Sequence, residues 1–64
     1  MTKELLDAFT KLRTSERESV LKALGVRVYH NQSESNNDFC IRAVRQICND
    51  GRVRELEDEM MVYQ

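Results

Sequence analysis

Two glycines are all this chain of 64 residues contains, and each stands where an amphipathic pattern stops. Gly51 closes the stretch Asn49-Asp50-Gly51, which separates two apolar-periodic segments by almost nothing. A corner that short between two helix-like runs fixes a tight helical hairpin. Gly25 ends an earlier run in the same way, and the chain has no proline. The expectation is an all-α fold: a compact bundle of about four short helices, with a polar loop between helices two and three.

The periodicity sets the expected bounds. Leu5, Leu6, Ala8, Phe9 and Leu12 recur at three- and four-residue steps, predicting helix one from about Lys3 to Leu12 with Thr2 as its cap. Ser15 and Glu18 have the S-x-x-E spacing of a capping box, ahead of the apolar positions Val20, Leu21, Ala23 and Leu24. That places helix two at about Glu16 to Leu24. Val26-Arg27-Val28-Tyr29 alternates like a strand but has no second strand to pair with, so it reads as an extended linker plugging its valines into the core. His30 to Asn37 holds no hydrophobe and reads as a solvated, adjustable loop.

Asn36 or Asn37 is the expected cap of helix three, whose stripe is Phe39, Cys40, Ala43, Val44, Ile47 and Cys48, with Ile41 to one side. So wide a stripe marks the central helix. After Gly51, Val53, Leu56, Met60 and Tyr63 predict helix four from about Arg52 to Val62.

The length bounds what such a bundle can do. A single domain spanning residues 1–64 buries only about 60% of its unfolded surface, so a second copy or a partner is a natural source of further stability. No apolar run is long enough for a membrane span or a leader, and a cytoplasmic protein is expected. Cys40 and Cys48 lie about 12 Å apart along one helix, too far for a disulfide or a shared zinc ion. Reduced, buried thiols are the expected state.

Chemistry finds little to use. The single histidine, His30, falls in the polar loop, and no nucleophile elbow, phosphate-cradling glycine loop or metal set is present. No enzyme activity, cofactor or metal is expected.

Charge is more informative. Between Lys11 and Arg54, nine basic residues face five acids, whereas Glu55, Glu57, Asp58 and Glu59 make the last segment strongly acidic. Opposed patches suit docking between unlike protein surfaces. Met60-Met61-Val62-Tyr63 cannot all face one small core, so part of this run should be exposed. Candidate partner-binding residues are Tyr29, His30, Glu57, Asp58, Met61 and Tyr63. The alternative is a helix-turn-helix DNA-binding regulator using Arg42, Arg45, Arg52 and Arg54 around the Gly51 corner. An acidic pI of about 5.7 weighs against it.

Leu5-Leu6-Asp7-Ala8-Phe9, Val20-Leu21-Lys22-Ala23-Leu24-Gly25-Val26, Ala43-Val44-Arg45-Gln46-Ile47-Cys48 and Gly51-Arg52-Val53-Arg54-Glu55-Leu56 occur in an order and spacing that resemble the death-fold family of helical interaction domains. The likeness is greatest to its bacterial effector-associated domains. That resemblance implies an adaptor without catalysis, associating through charged and apolar helix faces. Together these readings point to a small non-enzymatic protein–protein interaction module, an adaptor, regulator or inhibitor, phage-encoded ones included, acting as a homodimer or in a heterocomplex.

Overall fold

A computed structural model describes residues 3–63. They form α1 (Lys3–Lys11), α2 (Thr14–Leu24), α3 (Asn36–Asn49), α4 (Val53–Met60) and a closing 3₁₀ turn, Met61–Tyr63. The all-α bundle with a loop between its second and third helices is thus the observed fold. Thr2, the expected cap of α1, lies outside the described residues.

Phe9, Val20, Val44, Ile47 and Leu56 are the large side chains at the centre of the core, and every helix supplies at least one. α3 contributes Phe39, Cys40, Ala43, Val44 and Ile47, more than any other helix, as its wide stripe predicted. It packs against α1 and forms a hairpin with α4, while α4 also packs on α2. Ile41 is half-buried beside the stripe. Cys40 is fully buried and Cys48 half-buried, and both thiols are free.

Both glycines end their helices by the same device. Gly25 and Gly51 have φ of 70° and 72°, the left-handed region that a side chain enters only at a cost. At the first, Val26 N–H donates to the Leu21 carbonyl and Gly25 N–H to that of Lys22, each at 3.0 Å. At the second, Arg52 N–H donates to Ile47 and Gly51 N–H to Cys48, again at 3.0 Å. These are paired Schellman closures, which satisfy last-turn carbonyls and reverse the chain within two residues. Val26 and Val28 then do plug the core, Val28 buried and Val26 packed against it.

Helix starts depart from expectation, and for identifiable reasons. α2 begins at Thr14, two residues early, because Glu16 rather than Glu18 reaches back: its carboxylate accepts from Arg13 N–H at 2.8 Å. Ser15 and Glu18 are therefore inside the helix, and their spacing is not a capping box. Ala23 is exposed, since Val20, Leu21 and Leu24 already fill the buried face. Ser35, not Asn36 or Asn37, caps α3, its hydroxyl accepting from Asp38 N–H at 3.1 Å. α1 stops at Lys11 and α4 at Met60, where tightening to 3₁₀ geometry takes up Met61–Tyr63.

Candidate functional site

Arg17 organises the middle of the molecule, although its charge argues for the surface. It sits at the first position of 17-20-21-24, the i, i+3, i+4, i+7 face that α2 turns inward, and is only 5% exposed. Burying a cation costs several kcal/mol unless its donors are met. Here Nη1 donates to the Thr10 carbonyl at 3.1 Å and to that of Leu12, while Nη2 donates to Thr14 Oγ1 at 3.2 Å and Asn36 Oδ1 at 2.9 Å. The Thr10 and Leu12 carbonyls are at the C-terminal end of α1, where the peptide dipoles concentrate negative charge. One guanidinium thereby ties the end of α1 to the starts of α2 and α3. No carboxylate pairs with it among the described residues, so its acceptors are neutral and its positive charge is not cancelled. The sequence signal for this residue was its place in the heptad, not its type.

Arg42 builds the opposite kind of site. Its Nε and Nη2 grip the Glu34 carboxylate at 3.0 and 2.9 Å, and Nη2 also donates to the Tyr29 carbonyl. This bidentate, charge-assisted grip holds the Glu34 carboxyl down to about 2 from its ordinary 4.5, against a smaller opposing effect of desolvation. The same hydrogen bond raises the Arg42 pKa. His30 Nε2–H donates to the Glu34 carbonyl at 2.6 Å, and its ring stacks on Phe39 with centroids 5.0 Å apart and planes at 12°. Arg42 also lies over Phe39, 5.8 Å from the ring centre. The loop expected to be adjustable is exposed, as its composition demanded, but is fastened at Glu34 and His30.

The candidate contact residues separate into two places. Tyr29, 74% exposed, and His30 stand on the rim of a cleft of about 720 Å³ between α2 and the 26–30 linker. Its floor is Leu21, Val26, Val28 and Phe39, with Arg17 at its base and Lys22 and Arg27 among its walls. The second place is the end of the chain. Glu57 and Asp58 are exposed on α4, followed by Met61 at 66% and Val62 at 73% exposure. Met60 is buried, so the terminal apolar run divides between core and solvent as its length required. Tyr63, 38% exposed, borders a shallow depression with Glu4, Asp7 and Lys11 of α1.

The four arginines of the DNA-binding alternative are less free than their number suggests. Arg42 is taken by Glu34, and Arg52 Nε donates to Glu55 at 2.6 Å across one helical turn. Arg45 and Arg54 are exposed. Among the described residues, no group of three histidine, cysteine or acidic side chains is placed to hold a metal ion. No helix there is long and apolar enough to cross a membrane.

The chain matches no protein-family model, and no curated protein or solved structure is significantly similar to it.

Proposed function

We propose that the protein is a small non-enzymatic interaction module, an adaptor, regulator or inhibitor that works by occupying a surface of another protein. The observation that carries this reading is the end of the chain. Met61 and Val62 leave large apolar surface in water directly beside the acidic residues of α4. Apolar side chains rimmed by charge are the composition of a protein-binding patch, in which the apolar groups supply affinity and the charges select the partner. The resemblance to effector-associated domains, carried by the helix motifs, supports an adaptor role.

Affinity capture with the intact chain, run beside Met61→Glu, tests the reading. A protein retained by the first and lost by the second, with helix content unchanged, is the expected result. One well-placed apolar contact at the centre of an interface is worth about 1–2 kcal/mol, roughly a tenfold loss of retention. Binding to duplex DNA that weakens steeply with salt, and is insensitive to Met61, would contradict it.

A further inference from the structure

The linker after Gly25 has an unusual combination of properties. It is neither helix nor paired strand, yet alternate side chains face opposite ways: Val28 is buried, Arg27 and Tyr29 are exposed. From Arg27 to His30 the only backbone group hydrogen-bonded within the described residues is the Tyr29 carbonyl, which accepts from Arg42. This run lines the 720 Å³ cleft along one side, α2 along the other. That volume is within the range of about 300–1,000 Å³ typical of pockets that enclose a ligand.

We propose that this cleft receives an extended, acidic segment of a partner protein, which pairs its backbone with Arg27–His30 and lays alternate apolar side chains on the cleft floor. The inference rests on the reading of the chain as an interaction module and gives the chemistry of its partner. Unpaired N–H and C=O groups along an extended run are a template for an added strand. Because side chains of an extended segment alternate, every second one points to the floor made by Leu21, Val26 and Phe39, and those between meet the rim. The rim decides the sign. Lys22 and Arg27 have no ion-pair partner among the described residues, and the Arg17 charge beneath them is met only by neutral acceptors. Glu18 is the one acidic residue among the lining groups. Arg17 has already donated four of its N–H groups inside the fold, so its part is long-range attraction, with direct contacts falling to Lys22 and Arg27.

The test is fluorescence anisotropy with a labelled, end-capped peptide of alternating glutamate and leucine as the probe. Saturable binding is expected, weakened about tenfold or more by Lys22→Glu with Arg27→Glu, by replacing the probe's glutamates with lysines, and by N-methylating alternate peptide bonds. Both side chains are exposed and unpaired among the described residues, so the cost to folding is limited to placing an acid in the last turn of α2, about 0.5 kcal/mol, and circular dichroism should show nearly the parent's helix content. No binding by the folded protein, equal binding of the lysine peptide, or indifference to N-methylation overturns the proposal. So does a dimer in sedimentation that the same two substitutions dissociate, because the occupant is then a second copy. These failures leave the Met61-dependent capture experiment untouched and are read separately from it.

Discussion

Arg17 and Arg42 are both guanidiniums that hold three parts of the chain together, and they do it by opposite means. Arg17 is buried and is met by two carbonyls, a hydroxyl and an amide oxygen. Arg42 is exposed and is met by a carboxylate. The first arrangement satisfies hydrogen bonds and leaves the positive charge standing; the second satisfies hydrogen bonds and cancels the charge as well. The cleft above Arg17 therefore keeps a standing positive charge beneath it, while at the loop around Arg42 the guanidinium charge is met by Glu34.

The largest expected effect that tests this contrast is Arg17→Ala. It deletes four donated hydrogen bonds and strands the carbonyls at the end of α1, a loss of about 2–4 kcal/mol, which a bundle this small can scarcely carry. Urea unfolding should show a much lower midpoint or a chain already unfolded. Stability close to that of the parent would mean that α1 is docked by its apolar face alone. Asn36→Ala removes one acceptor from the same node, and about 1 kcal/mol is expected. Gly25→Ala isolates the turn that feeds the cleft. Nothing lies within 4 Å of the added methyl group, so the expected cost, about 1 kcal/mol, is purely that of φ at 70°.

The smallest effect on global unfolding should come from the exposed clamp, and its signature is pH. The folded pKa of Glu34, about 2, is below its ordinary value of 4.5, so the clamp stabilises the loop above about pH 4.5 and loses that contribution as pH falls toward 2. Carboxyl titration by NMR should give a midpoint near 2 in the parent and a return toward 4.5 in Arg42→Gln. A midpoint near 4.5 in both would break the contrast between the two arginines.

The fold was legible where one physical rule dominated. Three- and four-residue spacing identified the buried faces around Leu5 and Phe9, Val20 and Leu24, Phe39 to Ile47, and Leu56 and Met60. Glycine requirements located both closures. The starts of α2 and α3 were harder to place because Ser, Thr, Asn and Glu crowd both, and several choices of cap differ only in which side chain reaches which N–H. Ala23 misled because a methyl group is tolerated equally inside and outside.

The site was legible in outline only. That part of the run Met60–Tyr63 is exposed followed from its length, and Met61 was among the residues expected to face outward, but that Val62 is more exposed than Tyr63 was not legible; Val26 and Val28 followed from alternation. The Glu34–Arg42 grip was hidden because it joins a loop to a helix eight residues on, a pairing that no regular period announces. Arg17 was hidden by its own charge. Its heptad position matched Val20, Leu21 and Leu24, but the usual expectation that arginine stays in water outweighed the pattern.

Arg45 and Arg54 near Gly51 are exposed and unpaired among the described residues, like Lys22 and Arg27 at the cleft, and the central claim is that an acidic partner is drawn to the cleft pair. The most direct measurement is backbone NMR shift mapping on the intact chain with the glutamate–leucine peptide and, in parallel, a short DNA duplex. Shifts confined to the cleft, at Leu21–His30 and Phe39, with the peptide, and none of consequence with DNA, are the predicted result. Salt-sensitive shifts centred on Arg45, Arg52 and Arg54 with DNA, with the cleft unmoved by the peptide, would contradict it.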